Sequence, residues 1–191
     1  MAAHTRPPKG GRRPMSGLSK GIERAEARLK WDPSPLGAPP SDLDLIAATY
    51  RVGAEHGDPA YLVAFDSRFS PDGTIWLNRD STDGKGLGFD EVLTLDLGRL
   101  GSEYGRVVVG VAIQQGFGRL EFRNVANPAY QLVTGYTVLA EGDFTSVGPA
   151  TGATVAEFTR SASGAWEFHS LLVGYDADPD TLSRTMGHPP A

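Results

Sequence analysis

The sequence contains no cysteine among its 191 residues. This absence excludes disulfide bonds, thiolate metal ligands and a cysteine nucleophile. The sequence also lacks any apolar run near the roughly 20 residues that cross a membrane as a helix. No apolar segment follows the basic N-terminus, as one would in a secretory signal. We therefore predict a cytoplasmic protein, with peripheral attachment to a membrane as the alternative.

Acidic residues are missing from the first 20 positions, which carry five bases. Removing those five from the total of 18 bases leaves 13 bases against 23 acids, a net charge of −10 for the remainder. An acidic body favours a cation as partner, and we expect no nucleic acid, whose phosphates require basic surfaces. Residues 1–16 are rich in Pro, Gly and Arg, and we expect a disordered basic leader there, unless translation starts at Met15.

A pairing of catalytic residues is not evident either. The four histidines do not form a recognisable site, and no nucleophile–base pair is visible in the sequence. We therefore predict that the protein is not an enzyme. The enzyme hypothesis would require a pocket away from any metal, holding a titratable group with a strongly shifted pKa.

What the sequence does contain is a series of short apolar segments separated by turn residues. This pattern predicts an all-β fold, a β-sandwich of mostly antiparallel strands with one or two short helices. The length suits one domain, which we place at residues 17–187, followed by a tail at 188–191. The predicted strands are 42–52, 60–65, 74–77, 92–97, 106–114, 120–125, 130–139, 153–158 and 166–173, with a turn or short helix at 98–104 and a short helix at 178–186.

An acidic, glycine-rich stretch at residues 77–91 is the most distinctive feature of the sequence. Its acids and alternating glycines are Asp80, Asp83, Gly84, Gly86, Gly88, Asp90 and Glu91. Ca²⁺ takes about 6–8 oxygen ligands from carboxylates, carbonyls and water, and glycine lets the backbone turn its carbonyls inward. The stretch therefore suggests a calcium-binding loop, while a long solvent-exposed hairpin loop remains the simpler alternative.

The EF-hand is excluded as the form of this loop. Asp80 and Glu91 have the spacing of its first and last ligands, but Lys85 occupies the sixth position, where the sharp turn requires glycine. The flanking segments alternate as strands and not as paired helices. Any calcium site here therefore belongs to a β-sheet protein.

Further carboxylates lie near the ends of two other predicted strands. Asp42 and Asp44 are two residues apart, so both side chains leave the same face of one strand. Two like charges side by side are destabilising unless a cation joins them. Asp66 follows another apolar strand and is a further candidate ligand.

Several motifs, in order, resemble the TerD-like tellurium-resistance and general stress proteins. They are Leu18-Ser19-Lys20-Gly21, Lys30-Trp31-Asp32, Asp42-Leu43-Asp44, Ser70-Pro71-Asp72-Gly73, Asn78 to Glu91, Phe122 to Asn127 and Trp166-Glu167-Phe168. The resemblance implies a calcium-binding β-sandwich with two adjacent Ca²⁺ ions, acting in stress response. It also favours a strand at residues 22–31, which alternate like a strand but have the composition of a helix.

The resemblance and the loop together give one set of candidate metal-site residues. They are Asp42, Asp44, Asp66, Asp80, Asp83, Gly84, Gly86, Gly88, Asp90 and Glu91. Lys85 departs from the family, whose loops often carry an acid at this place, so we expect one tight Ca²⁺ site and a second that is weak or empty. Leu87 and Phe89 depart in the same way, and as apolar tips they predict a second possible function, calcium-dependent docking to a membrane or a protein partner.

Overall fold

Ten strands in two antiparallel sheets form the fold, in a computed structural model that describes residues 21–188. In chain order the elements are β1 (Ala25–Asp32), β2 (Leu43–Arg51), β3 (Tyr61–Val63), β4 (Ile75–Arg79), β5 (Glu91–Leu95), β6 (Tyr104–Ile113), β7 (Ala126–Thr134), β8 (Thr137–Asp143), β9 (Gly152–Arg160), β10 (Trp166–Tyr175) and the helix α1 (Pro179–Thr185). Sheet A has the order β4-β5-β1-β7-β8, and sheet B has the order β10-β9-β6-β2-β3. The predicted all-β sandwich is therefore confirmed.

Two predicted segments lie wholly or mostly outside residues 21–188. The leader at residues 1–16 and most of the predicted tail, residues 189–191, lie outside the described residues. Within residues 21–188, no helix reaches the length and apolar character that crossing a membrane requires.

The central strand of sheet A forms against the helical preference of its residues. Along β1, Ala25, Ala27, Leu29 and Trp31 alternate with polar residues and are all buried in the core. β1 pairs with β5 on one side and with β7 on the other. Burial of a period-two apolar face outweighs a weak local propensity, so the predicted strand is confirmed.

The central strands of sheet B, β2 and β6, are buried on both faces. Leu43 and Leu45 of β2 face the core between the sheets, whereas Ile46 belongs to a second apolar cluster on the outer face. That cluster is covered by Leu182 and Met186 at the C-terminal helix. α1 confirms the predicted helix and begins where the Asp178 side chain accepts a hydrogen bond from the Thr181 N–H.

Two predicted strands differ from the observed elements. Residues 120–125 contain a short 3₁₀ helix at Phe122–Asn124, with Glu121 and Asn124 bonding reciprocally across its first turn. Side-chain hydrogen bonds of this kind compete with a strand ladder. Residues 130–139 are the two arms of the β7–β8 hairpin and not one strand, because Gly135 adopts φ +55° and reverses the chain.

One end of the sandwich gathers the segments of the predicted metal site. β1 ends there, β2 and β5 begin there, and β4 ends there. On sheet B, β3 pairs only with Ala47, Ala48 and Thr49 of β2. The first residues of β2 are therefore left without a neighbouring strand on that side, and their backbone is open to side chains from sheet A.

Candidate metal centre

Three carboxylates from three different segments meet at this end of the sandwich. Asp44 lies near the start of β2, Asp80 follows β4, and Glu91 opens β5. Each offers a carboxylate oxygen within 4.8 Å of the others. Carboxylates this close repel one another, so the arrangement requires protons or a cation to balance it.

Glu91 is the most constrained member of this triad. Its side chain is fully buried, and its Oε2 accepts a hydrogen bond from the Leu45 N–H at 2.5 Å across the open edge of β2. Its Oε1 is buried and has no hydrogen-bond partner among the described residues. Burial, with the nearby negative charge of Asp44 and Asp80, raises the pKa of Glu91 well above its usual value.

Asp44 and Asp42 add to the same concentration of charge. Asp44 is buried, and the Gln114 Nε2 donates to its Oδ2 at 2.7 Å. Burial, and then the charge of Asp42, raises the pKa of Asp44 to about 7. Burial, and then the charges of Asp80 and Asp83, raises the pKa of Asp42 to about 6. The carboxyl groups are therefore coupled electrostatically over a wider area than the triad alone.

Trp31 holds the glycine-rich loop against the sandwich. Its indole N–H donates to the Ser41 carbonyl at 2.8 Å, and its backbone N–H donates to Asp90 Oδ2 at 3.0 Å. Gly84, at φ +66°, lies so close that an added Cβ would be 2.6 Å from the Trp31 ring. A side chain at that position would strain the backbone and displace the loop. The close packing of Gly84 on Trp31 therefore fixes the position of the loop that carries Asp80.

The other predicted site residues occupy less direct positions. Asp90 is buried but uses one oxygen to hold the Trp31 backbone. Asp83 pairs with the Lys85 ammonium at 2.9 Å. Asp66 is exposed and contributes negative charge that raises the pKa of Asp44 slightly. Gly86 and Gly88 are exposed positions of the loop with φ +150° and +87°.

Two residues that support the site were not predicted from the sequence as part of it. Gln114 follows β6 directly, and its side chain orients Asp44. The sequence indicates Trp31 only as part of a family motif and not as a residue of the site. A polar residue at the end of a predicted buried strand was the available signal for Gln114, whereas the contacts of Trp31 depend on a packing that no local pattern reveals.

The arrangement suits a hard divalent cation. Its donors are carboxylate oxygens, the ligands that Ca²⁺ and Mg²⁺ prefer, and Glu91, whose Oε1 has no hydrogen-bond partner among the described residues, lies beside two further carboxylates. Within residues 21–188, the structure brings three side chains together that could ligate a metal, those of Asp44, Asp80 and Glu91. Fold and site thus define a β-sandwich domain with an acidic cluster able to hold a metal ion.

Comparison with known proteins identifies the family. The model of the TerD domain matches residues 6–185, and the chain belongs to the TerD family, of the tellurium-resistance type. The protein SAV2460, of unknown function, has a crystal structure that matches with a TM-score of 0.87 and 57% identity, over 90% of this chain and 100% of that one. SCO6318 from Streptomyces coelicolor A3(2), a homologue of the telluride resistance protein TerD, matches with a TM-score of 0.86 and 50% identity, over 89% of this chain and 100% of that one.

Proposed function

We propose that this TerD domain binds Ca²⁺ at the acidic cluster and acts as a metal-stabilised binding or scaffold module in a stress response. The observation that carries the proposal is the buried Glu91 carboxylate, which has one oxygen without a hydrogen-bond partner and lies beside Asp44 and Asp80. A buried carboxylate is strongly disfavoured unless a cation or a proton compensates its charge. Ca²⁺ suits the site better than Mg²⁺, because it accepts irregular coordination and gives up its water more readily.

The proposed stoichiometry is one tight ion and one weak one. Asp44, Asp80 and Glu91 supply the tight site, with Asp42 beside them. A second ion would depend on Asp42 and Asp83, and the Lys85 ammonium already balances the charge of Asp83. Fewer free carboxylates lower the affinity of a Ca²⁺ site.

We further propose that the domain binds and does not catalyse. Its most strongly perturbed carboxyl groups, Asp44 and Glu91, belong to the metal cluster itself, where burial and the neighbouring carboxylates raise their pKa values and a bound cation would compensate their charge. A role in binding accounts for these groups without any reaction.

Calorimetric titration with Ca²⁺, together with thermal melting in Ca²⁺ and in chelator, tests the proposal. We expect one tight ion per chain. At a hundredfold excess over Kd, a ligand of the folded state alone adds about 2.7 kcal/mol to the free energy of unfolding. Melting that is the same in Ca²⁺ and in chelator would refute the proposal.

Two variants locate the effect. Asp80→Ala removes an exposed ligand without opening a core cavity, and we expect it to abolish most of the calcium response. Asp72→Ala is the matched control, because Asp72 holds the turn at residues 70–73 through Ser70 and Thr74. This control should lower stability slightly and keep the full calcium response; equal losses from both variants would place the site elsewhere.

A further inference from the structure

Three large apolar side chains extend into solvent from separate loops at the metal-site end. They are Leu36, Leu87 and Phe117, with exposed fractions of 107%, 94% and 78%. Leu36 lies in the proline-rich loop after β1, Leu87 in the glycine-rich loop, and Phe117 in the loop after β6. We call these three residues the apolar tips.

The apolar tips lie on the loops around the acidic cluster, and two of them share a cleft with Asp42. Leu36 and Phe117 line a cleft of about 560 Å³, which is also lined by Asp42 and Lys85. Leu87 is in the same loop as Asp80. One isolated apolar residue on a surface needs no explanation, but apolar residues on three loops around one charged centre suggest a docking surface.

Phe89 is not one of the apolar tips, although the sequence suggested it beside Leu87. Its side chain is half-buried, and the Arg28 guanidinium lies over its ring, 5.6 Å from the ring centroid. The sheet A surface thus holds Phe89 in place, and Leu87 alone projects from this loop.

The charges around Leu87 indicate what the apolar tips would meet. Arg79 donates to the Leu87 carbonyl at 3.4 Å, and Lys85 has a side chain that is 72% exposed. Leu87 is therefore flanked by two bases on an otherwise acidic body, and one of them, Lys85, is paired with Asp83. These bases would attract phosphate groups, whereas the carboxylates beside the loop would repel them. A bound cation would remove this repulsion by neutralising the carboxylates.

We propose that the apolar tips dock the domain, when Ca²⁺ is bound, on a membrane surface that contains anionic phospholipids. Apolar side chains would enter the boundary between head groups and acyl chains, and basic residues with the bound cation would meet the phosphates. Three separate loop tips with bases beside them fit a fluid surface better than a protein interface, which requires a continuous packed area. The cation dependence rests on the calcium binding proposed above.

Flotation of the full chain with lipid vesicles tests this inference. The vesicles contain phosphatidylcholine alone, or equal parts of phosphatidylcholine and phosphatidylserine, with either Ca²⁺ or chelator. We expect the protein to float only with phosphatidylserine and Ca²⁺ together. In the triple variant Leu36→Ser, Leu87→Ser and Phe117→Ser, binding should fall at least about tenfold, because three apolar side chains that would be buried in the membrane are replaced by polar ones.

Tyr136→Ser is the matched control. Tyr136 is 108% exposed at the β7–β8 turn. Three residues before it, Val133 pairs with Glu26 near the start of β1, so this turn lies at the opposite end of the sandwich. This variant should float like the unmodified protein. Equal losses in Tyr136→Ser and in the triple variant would overturn the inference, as would flotation that persists in chelator.

Failure of docking can be told apart from failure of calcium binding. If Ca²⁺ stabilises the protein without vesicles but flotation is absent, the docking inference is wrong and the proposed function stands. If Ca²⁺ does not stabilise the protein at all, the proposed function itself is wrong. If the triple substitution abolishes self-association, measured by light scattering, and no vesicles are bound, the apolar tips serve a protein contact and the membrane inference is overturned.

Discussion

Glu91 shows how one residue can be unfavourable for the fold and necessary for the site. Its carboxylate is fully buried and receives a single hydrogen bond, from the Leu45 N–H, among the described residues. The main core cluster of the sandwich consists of apolar side chains, both aliphatic and aromatic. A carboxylate in such a buried, poorly hydrogen-bonded position is expected to bind a cation or a proton, which the polypeptide itself does not supply.

The substitution Glu91→Gln separates these two roles. Its amide keeps the size of the side chain, can accept the Leu45 hydrogen bond and can donate to the facing carboxylates of Asp44 and Asp80. Because the amide needs neither a cation nor a proton at this buried position, we expect the metal-free variant to be more stable than the unmodified protein by about 1 kcal/mol. Its stabilisation by Ca²⁺ should be nearly lost. Urea unfolding in Ca²⁺ and in chelator measures both effects.

Glu157→Gln is the matched control for that experiment. Glu157 lies on β9 and pairs at 2.6 Å with Arg106, whose side chain is 8% exposed. Loss of its charge leaves this arginine poorly compensated, so we expect a loss of about 1–3 kcal/mol and an unchanged calcium response. A Glu91→Gln protein that is less stable in chelator and still responds to Ca²⁺ would contradict our description of the site.

At the scale of elements, the glycine-rich loop is joined to the sandwich by packing on β1. The critical contact is between Gly84 and Trp31, and the same tryptophan holds the segment before Asp42 through the Ser41 carbonyl. Two segments that carry carboxylates thus contact the same tryptophan ring. Their separation depends on this packing more than on the length of either loop.

Gly84→Ala should therefore affect stability and calcium binding together. The left-handed backbone costs about 1–2 kcal/mol for a residue with a Cβ, and displacing the Trp31 ring adds about 1–3 kcal/mol. We expect a loss of roughly 2–5 kcal/mol in unfolding free energy and weaker Ca²⁺ binding by calorimetry. Gly88→Ala is the control, because Gly88 has φ +87° but no atom within 4 Å of an added Cβ. It should show only the backbone cost, and a calcium affinity that falls equally in both variants would argue against the packing role of Gly84.

The element boundaries that the sequence predicts well are those set by strong periodicity or by turn residues. The nearly continuous apolar run at residues 106–114 corresponds to β6, and residues 42–52 contain β2. The failures lie where local hydrogen bonding decides. The Glu121–Asn124 capping pair converts a predicted strand into a 3₁₀ helix, and the turn at Gly135 divides another into a hairpin.

The site was predictable in composition but not in geometry. Asp44, Asp80 and Glu91 were all among the ten candidate residues, because acids near strand ends and glycines are visible in the sequence. Which of the ten approach one another depends on β3 being short, which opens the edge of β2 to Glu91. That length is set by tertiary pairing, and no local pattern encodes it.

At the scale of the whole molecule, the sandwich supports an end that is electrostatically unfavourable. The apolar core extends between both sheets over their length, whereas raised carboxyl pKa values occur only at the metal-site end of the described chain. The carboxyls with lowered pKa values, such as Asp72 and Asp178, hold turns and a helix start through hydrogen bonds. Stability should therefore respond to pH in two separate ranges.

The metal-free protein should lose stability as pH rises through the neutral range. Asp44 has a pKa of about 7 in the folded chain against an ordinary 3.8, and Asp42 has a pKa of about 6. The folded state therefore binds more protons than the unfolded state between about pH 4 and pH 7, so the free energy of unfolding falls across that interval. The groups with lowered pKa values act in the opposite direction, but only below about pH 4.

Ca²⁺ should reverse this trend if it binds as we propose, because it would bind the deprotonated carboxylates and replace their protons. We expect the increase in melting temperature caused by Ca²⁺ to be small at about pH 5 and large at about pH 8, since Asp42 and Asp44 are protonated in the first case and free to bind in the second. Melting in Ca²⁺ and in chelator across this range measures the effect, with Asp80→Ala as the variant in which the difference should disappear. A calcium effect that is constant from pH 5 to pH 8 would mean that the ion binds elsewhere than at these carboxylates.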